Sequence, residues 1–162
     1  MSMDYSILAQ DYDLTRTAKE SMMVIYTNTL TVEDYNRLHE AVGWGSRNPE
    51  KVRMALDRSD FLISAQVNGK TVGMARVMQD GLQALVMDVI VLPEYQGQQI
   101  GKTMMEHVME YLNKISRGGG IKVTLISAVD RVSFYEQFGF ERRPNEKREP
   151  GMTLWLDNKE DA

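Results

Sequence analysis

The stretch that most constrains the fold covers residues 89–102 and reads V-I-V-L-P-E-Y-Q-G-Q-Q-I-G-K. An apolar, β-branched run passes through a proline-marked turn to two glycines, after which apolar residues recur at helical spacing. The predicted order is a strand, a glycine-bearing loop and a helix. The first N–H groups of a helix lack partners within it, and the helix dipole is positive there, so such a loop can bind an anion. An ordinary strand-to-helix turn is the alternative.

Two glycines and a lysine give the loop its chemical character. Gly97 and Gly101 carry no side chain, so the backbone can adopt unusual dihedrals and a ligand can approach it closely. Lys102 adds a positive charge at the predicted start of the helix. The sequence contains neither G-x-x-x-x-G-K-[ST] nor G-x-G-x-x-G at this point, which argues against the common nucleotide-binding loops.

Length and composition favour one globular domain. The chain has 162 residues, of which 43% are hydrophobic and 26% charged, enough for a single sizeable core. Residues 1–20 are polar without a sustained period and are predicted to form a variable leader. The domain is expected to cover residues 21–157, followed by a polar tail at 158–162, and no internal repeat is evident.

Charge and residue usage exclude several classes of function. The chain has no cysteine, which rules out disulfides, thiolate metal sites and a cysteine nucleophile. The net charge of −4 argues against a broad nucleic-acid-binding face. We find no apolar run long enough for a bilayer and no signal-peptide pattern, so we expect a cytoplasmic protein that has no membrane partner. The sequence leaves a monomer and a homodimer both open.

Metal binding is not indicated either. His39 and His107 lie in different predicted helices without metal-ligand spacing, so both are expected at a surface or boundary, and no metal is predicted.

The first half of the domain reads as a strand, two helices and a meander. A short apolar run at residues 22–26 predicts a strand, Thr31 resembles the cap of a helix that Gly43 ends, and Asn48 precedes a proline that opens a second helix. Strands are predicted at 61–67, 71–78 and 82–92. The dipeptides 68–69 and 80–81, Asn-Gly and Asp-Gly, join them as tight hairpins.

The second half alternates helices and strands. An apolar stripe predicts a helix over Ile100–Ile115, followed by a strand at 121–128, a helix at 130–137 and a last strand at 152–156. The strand–helix–strand unit implies parallel strands with a right-handed connection. We therefore predict an α/β protein with a mixed sheet, in which an antiparallel meander joins a parallel half.

Two segments carry a resemblance to a known family. The strand and loop L-V-M-D-V-I-V-L-P-E-Y-Q-G-Q-Q-I-G-K and the later S-F-Y-E-Q-F-G-F resemble the GNAT superfamily of acyl-CoA-dependent N-acyltransferases. In the family's Arg/Gln-x-x-Gly-x-Gly/Ala motif, Gln96 takes the first place and Gly101 the last. Gln99 stands where the family usually has its middle glycine. A side chain there would either narrow the pyrophosphate loop or force different backbone dihedrals, and so weaken cofactor binding, or point to solvent with a negative φ and leave binding unaffected. We expect the second outcome.

The resemblance implies acetyl-CoA as co-substrate and no metal. It implies that the main chain of Val89, Ile90 and Val91 binds the pantetheine arm, while their side chains belong to the core. The pyrophosphate would lie on the loop that follows, and the implied CoA-binding residues there are Gln96, Gly97, Gln98, Gln99, Ile100, Gly101 and Lys102.

Three further residues are candidates for chemistry or acceptor binding. Tyr135 matches the family tyrosine that protonates the leaving thiolate, although a tyrosine packed between helix and sheet is the alternative. Asp88 is a lone acid in an apolar strand. If burial raises its pKa it would be a better general base, while pairing with a basic residue such as Arg76 is the other interpretation. Trp44, between the first two helices, would either line an acceptor pocket or anchor the helix turn.

Together these patterns predict an N-acetyltransferase that moves acetyl from acetyl-CoA directly to a primary amine. The acceptor would be a small molecule or a peptide. A non-catalytic acyl-CoA-binding or regulatory module with the same fold is the second hypothesis.

Overall fold

The computed structural model describes residues 22–156, so the predicted leader and polar tail lie outside the described residues. The strands and helices there follow the predicted order as far as residue 136, with one short 3₁₀ turn at Pro93–Tyr95. The elements are β1 (Val24–Thr27), α1 (Val32–Ala41), α2 (Pro49–Asp57), β2 (Phe61–Val67), β3 (Lys70–Gln79), β4 (Gln83–Val91), α3 (Ile100–Ile115), β5 (Lys122–Leu125) and α4 (Val132–Glu136).

The predicted helix caps are present. Thr31 Oγ1 accepts a hydrogen bond from the Asp34 N–H at 3.1 Å, which satisfies a donor that α1 cannot satisfy itself. Asn48 Oδ1 does the same for two N–H groups of α2, and proline occupies the first turn of that helix.

The sheet is mixed, as predicted, with strand order β1-β2-β3-β4-β5. The first three pairings are antiparallel, and β4 pairs with β5 in parallel. Asn68 and Gly69 have φ values of 49° and 76°, the two positive angles of a tight turn that matches the twist of the β2–β3 hairpin.

Helices cover both faces of the sheet. α3 lies against β2, β3 and β4, and it approaches so closely that a Cβ on Gly73 would lie 3.1 Å from Met104 Cε. Arg76 points to the opposite face, where its guanidinium reaches Ser59 and the Ala55 carbonyl beside α2. The apolar core therefore fills both layers, which explains why β3 is buried over most of its length.

The predicted strand at 152–156 is wrong. Residues 151–156 have no regular secondary structure, and Met152, Leu154, Trp155 and Leu156 are each at least 70% exposed. A short apolar run is not enough for a strand, because a strand also needs a neighbour for its backbone groups. The strand predicted at 121–128 is shorter too, and β5 ends at Leu125.

No helix within residues 22–156 is both long enough and apolar enough to cross a membrane.

Candidate active site

The site begins where β4 and β5 separate. The parallel pairing runs from Gln83 opposite Lys122 to Val86 opposite Leu125 and then stops, although β4 continues to Val91. On its other side β4 stays paired with β3 up to Val91. The main chain of residues 87–91 is thus paired on one side only. An extended ligand can add to the open side as a further strand would.

A β-bulge lies at the point of separation. Met74 pairs with Ile90 and Arg76 with Met87, so that two β4 residues, Asp88 and Val89, oppose Ala75 alone. Asp88 has a φ of 52°, in the left-handed region that aspartate tolerates better than most residues. The bulge turns the Asp88 side chain to the face of α1 and α2, and it sits beside the open end of β4.

The glycine loop presents a row of unpaired backbone donors. None of the N–H groups of residues 97–102 donates to an acceptor within residues 22–156, whereas the Thr103 N–H already bonds to the Gln99 carbonyl at 2.9 Å. Gly97 has a φ of 73°, and a Cβ there would meet nothing within 4 Å. Consecutive free N–H groups at a helix N-terminus form an anion-binding concavity. The residues present therefore fit a pyrophosphate.

Gln99 departs from the expectation in one respect. Its side chain is exposed, as predicted, but its φ is +67° and not negative. The middle position of the motif therefore retains the left-handed backbone that glycine adopts without cost, and here a glutamine adopts it.

Two glutamines hold the loop to its surroundings. Gln96 Nε2 donates to the Val91 carbonyl at 2.9 Å, and Gln96 Oε1 accepts from Arg131 Nη2 at 3.1 Å, so one side chain links the end of β4 to the start of α4. Gln98 instead donates to the Glu94 carbonyl at 3.1 Å. It does not line the cleft described next, unlike the other predicted loop residues.

A cleft of about 960 Å³ joins the loop, the open side of β4 and the N-terminal part of α4. Its lining includes Trp44, Asp88 and Tyr135, so all three candidates outside the loop face one space. Trp44 is 43% exposed, and its ring meets the His39 ring edge-on at 5.4 Å. The predicted CoA-binding residues in the lining are Val89, Ile90, Val91, Gln96, Gly97, Gln99, Ile100, Gly101 and Lys102.

Tyr135 is held by aromatic neighbours and keeps its proton at neutral pH. It is 8% exposed and packs edge-on against Phe134 and Phe140 at ring distances of 5.0 and 6.3 Å. Burial raises the pKa of its phenol, and the charge of Arg131 opposes that rise only in part. No partner for its hydroxyl lies within residues 22–156, which leaves the hydroxyl able to donate to a ligand in the cleft.

Asp88 pairs with Arg76, which was the alternative to its role as a general base. Its Oδ2 accepts from Arg76 Nε and, at 3.2 Å, from the Tyr35 hydroxyl, while His39 Nε2 lies 3.4 Å from Oδ1. Burial acts to raise the pKa of the Asp88 carboxyl, but the contacts with His39 and Arg76 outweigh burial and hold that pKa below its ordinary value. The expectation of a raised pKa is therefore wrong, because a cation shares the buried site.

Three residues that contact Asp88 or line the cleft were misplaced or missed in the sequence-based predictions. His39 is 2% exposed, not at a surface, and it stacks on Tyr35 at 4.3 Å. Burial and the Asp88 charge raise the pKa of Tyr35 to about 12. Arg131 lines the cleft and was not singled out. The four-residue spacing of Tyr35 and His39, and a charge just before the S-F-Y motif, were the available signals.

Within residues 22–156 no group of three or more His, Cys, Asp or Glu side chains could hold a metal ion.

Comparison with known proteins gives this geometry its context. Residues 31–155 match the family model of the acetyltransferase (GNAT) domain. The chain is 32% identical over 121 residues to an uncharacterized N-acetyltransferase, ycf52, of Pyropia yezoensis, covering 72% of this chain and 68% of the relative. It is 33% identical over 132 residues to serotonin N-acetyltransferase 2, chloroplastic, of Oryza sativa subsp. japonica, covering 78% of this chain and 63% of the relative.

A solved structure with a similar fold supports this family assignment. Protein SA2161 of meticillin-resistant Staphylococcus aureus, described as a probable acetyltransferase, superimposes with a TM-score of 0.76 at 30% identity, over 83% of this chain and 100% of that one. The chain combines a mixed sheet that opens beside a glycine loop with a match to the GNAT domain over most of its length, and it belongs to the GNAT acetyltransferase family. It is an N-acetyltransferase.

Proposed function

We propose that this protein transfers the acetyl group of acetyl-CoA directly to a primary amine. One observation carries the proposal: a row of unpaired N–H groups, the one-sided stretch of β4 and the hydroxyl-bearing Tyr135 all belong to a single cleft. Acetyl-CoA, when bound, supplies the thioester whose carbon–sulfur bond breaks as the new carbon–nitrogen bond forms. The chain has no cysteine, so no thiol is present to carry the acetyl group in between.

The loop and β4 account for binding. The N–H groups of residues 97–102 would hold the pyrophosphate, and Lys102 and Arg131 add positive charge to the same lining. The free main-chain groups of Val89, Ile90 and Val91 would pair with the amide groups of the pantetheine arm, as a strand pairs with a sheet edge. The side chain of Ile90 stays in the core.

Tyr135 is the proton donor in this proposal. A phenol protonated at neutral pH can give its proton to a leaving thiolate, whose acid has a pKa near 8.5. The amine nitrogen loses one proton as the amide forms, and that proton restores the phenol, so the net transfer of the proton is from the amine to the thiol. Arg131 lowers the pKa of Tyr135 against the effect of burial, and so stabilises the phenolate that forms for a moment.

Asp88 has a positioning role in this proposal. A carboxylate held by Arg76 is a weak base, so we propose that the amine enters in its neutral form. Asp88 then fixes Arg76 and the bulge that opens β4. The acceptor is proposed to be a small molecule or a peptide amine, and a cytoplasmic location stays a prediction.

The proposal is tested by cofactor binding and by thiol release. Acetyl-CoA should raise the melting temperature, because a ligand that binds only the folded state stabilises it. Thiol release over a panel of amines should then reveal turnover. Binding without turnover of any amine would favour the non-catalytic module, and the absence of binding at millimolar acetyl-CoA would contradict both.

A matched pair of variants tests Tyr135. With a good acceptor, Tyr135→Phe should lower kcat by roughly 100-fold or more while the KM for acetyl-CoA changes little. Tyr111 stacks on Phe61 at 4.8 Å and is absent from the cleft lining, so Tyr111→Phe should leave kcat unchanged. Equal kcat values for the two variants would remove Tyr135 as the general acid.

A further inference from the structure

The cleft is poor in negative charge. Among the residues that line it within 22–156, the charged ones are Asp88, Lys102 and Arg131. Lys102 and Arg131 lie at the glycine loop and at the start of α4, where the donor substrate is proposed to bind. The remaining part of the cleft therefore has Asp88 as its one acidic residue.

Asp88 is already engaged. Its Oδ2 accepts from Arg76 and Tyr35, and its Oδ1 faces His39 at 3.4 Å. An acceptor with several ammonium groups would bring charges into the cleft that no free carboxylate is there to pair. Burying an unpaired charge is unfavourable, so polyamines and aminoglycosides fit this lining badly.

The cleft lining also contains exposed apolar side chains. Trp44 is 43% exposed, and Ile126 and Val129, which follow β5, are 78% and 86% exposed; all three line the cleft. The Trp44 ring packs against the buried His39 ring in a T-shaped arrangement. Large apolar side chains left open in a concave site gain stability when an apolar ligand covers them.

We infer that the acceptor is a monoamine carrying an aromatic or other apolar group, and that Trp44 is the residue that binds this group. The inference rests on the proposed acetyl transfer and names the acceptor class for that same site. The acceptor amine would reach the open end of β4 near Asp88, while its apolar substituent lies against Trp44.

A panel of amines tests the acceptor class. At saturating acetyl-CoA, thiol release is measured with 2-phenylethylamine, spermidine and a lysine-containing peptide. We expect kcat/KM for 2-phenylethylamine to exceed the other two at least tenfold. A preference for spermidine or for the peptide would overturn this inference and leave the proposed acetyl transfer standing. No turnover of any amine would overturn both.

Variants of the two tryptophans test the role of Trp44. Trp44→Ala should raise the KM for 2-phenylethylamine at least tenfold with a smaller change in kcat, and Trp44→Phe should retain most of the affinity. Trp155, 70% exposed and outside the cleft lining, supplies the control: Trp155→Ala should leave KM unchanged. An unchanged KM in Trp44→Ala would remove Trp44 from acceptor binding.

A binding measurement gives a readout separate from turnover. The chain has two tryptophans, so Trp155→Phe leaves Trp44 as the one indole emitter. Titration of that variant with 2-phenylethylamine should change its emission in a saturable way, and spermidine should not. A change with spermidine alone would contradict the inference.

Discussion

Replacing Gln99 by glycine should stabilise the protein. Gln99 has a φ of +67°, directly before α3, and its side chain makes no capping hydrogen bond. A non-glycine residue in the left-handed region costs roughly 1–2 kcal/mol because its Cβ lies too close to the backbone. Glycine avoids that cost. Glycine also has more conformational freedom in the unfolded chain, which reduces the gain in stability by about 0.4–1 kcal/mol.

The expected net gain from Gln99→Gly is therefore about 0.8 kcal/mol in the free energy of unfolding, the midpoint of a range from about 0 to 1.6 kcal/mol. For a domain of this size, such a gain corresponds to a rise of about 1–4 °C in Tm. Gln99→Ala is the matched control, because alanine removes the same exposed side chain and keeps the Cβ. Its stability should stay within about 0.5 kcal/mol of the wild type.

Urea unfolding at 25 °C measures both variants, with the thermal melt as a second readout. If glycine and alanine have the same stability, the reasoning from backbone strain is refuted. Both variants should also bind acetyl-CoA at least as tightly as the wild type, since the proposed contacts at this position come from the main chain.

Two further perturbations follow from the packing and the ion pair. Gly73→Ala should destabilise the protein by about 1–3 kcal/mol in urea unfolding, since the new Cβ would lie 3.0 Å from a β4 carbonyl and 3.1 Å from Met104 Cε. Gly119→Ala is the control and should cost less than about 0.5 kcal/mol, because a Cβ at Gly119 would have nothing within 4 Å. Equal losses of stability in the two variants would contradict the close approach of α3. Asp88→Asn should cost about 2–4 kcal/mol at pH 7, because it leaves Arg76 largely buried without its partner while the new side chain still tolerates a positive φ. The pKa of Asp88 is lower in the folded state than in the unfolded chain, so this stabilisation is complete above about pH 4 and is lost as the pH falls through the folded-state pKa. Urea unfolding of both proteins between pH 3 and 7 should show the gap closing at low pH, and a constant gap would argue against the ion pair as its cause.

Local patterns predicted most of the elements because their causes are local. The caps at Thr31 and Asn48 work through donors two or three residues away, and the Asn68-Gly69 turn depends on the dihedrals of those two residues. The apolar stripe of α3 follows from helical periodicity. These features carry their explanation within a few residues of sequence, so the order of elements could be read before the structure.

The predictions that were wrong concern features that depend on residues far away in the sequence. Residues 152–156 are mostly apolar, yet they have no regular secondary structure, because no strand within residues 22–156 pairs with them. The pKa of Asp88 depends on Arg76 from β3, which was one of two interpretations left open by the sequence, and on His39 from α1, which the strand pattern around Asp88 does not reveal. Burial alone would have raised that pKa. The partners reversed its direction.

The sequence by itself determined the succession of strand, glycine loop and helix, and with it the family and the prediction that the loop binds an anion. Short-range backbone chemistry is sufficient for that much. Only the tertiary structure decided which residues line the cleft together with the loop. Trp44, Asp88 and Tyr135 face one space because β4 and β5 separate after Val86. The tertiary structure also decided that Gln99 adopts the positive φ typical of glycine, since the loop has to connect the end of β4 to the start of α3.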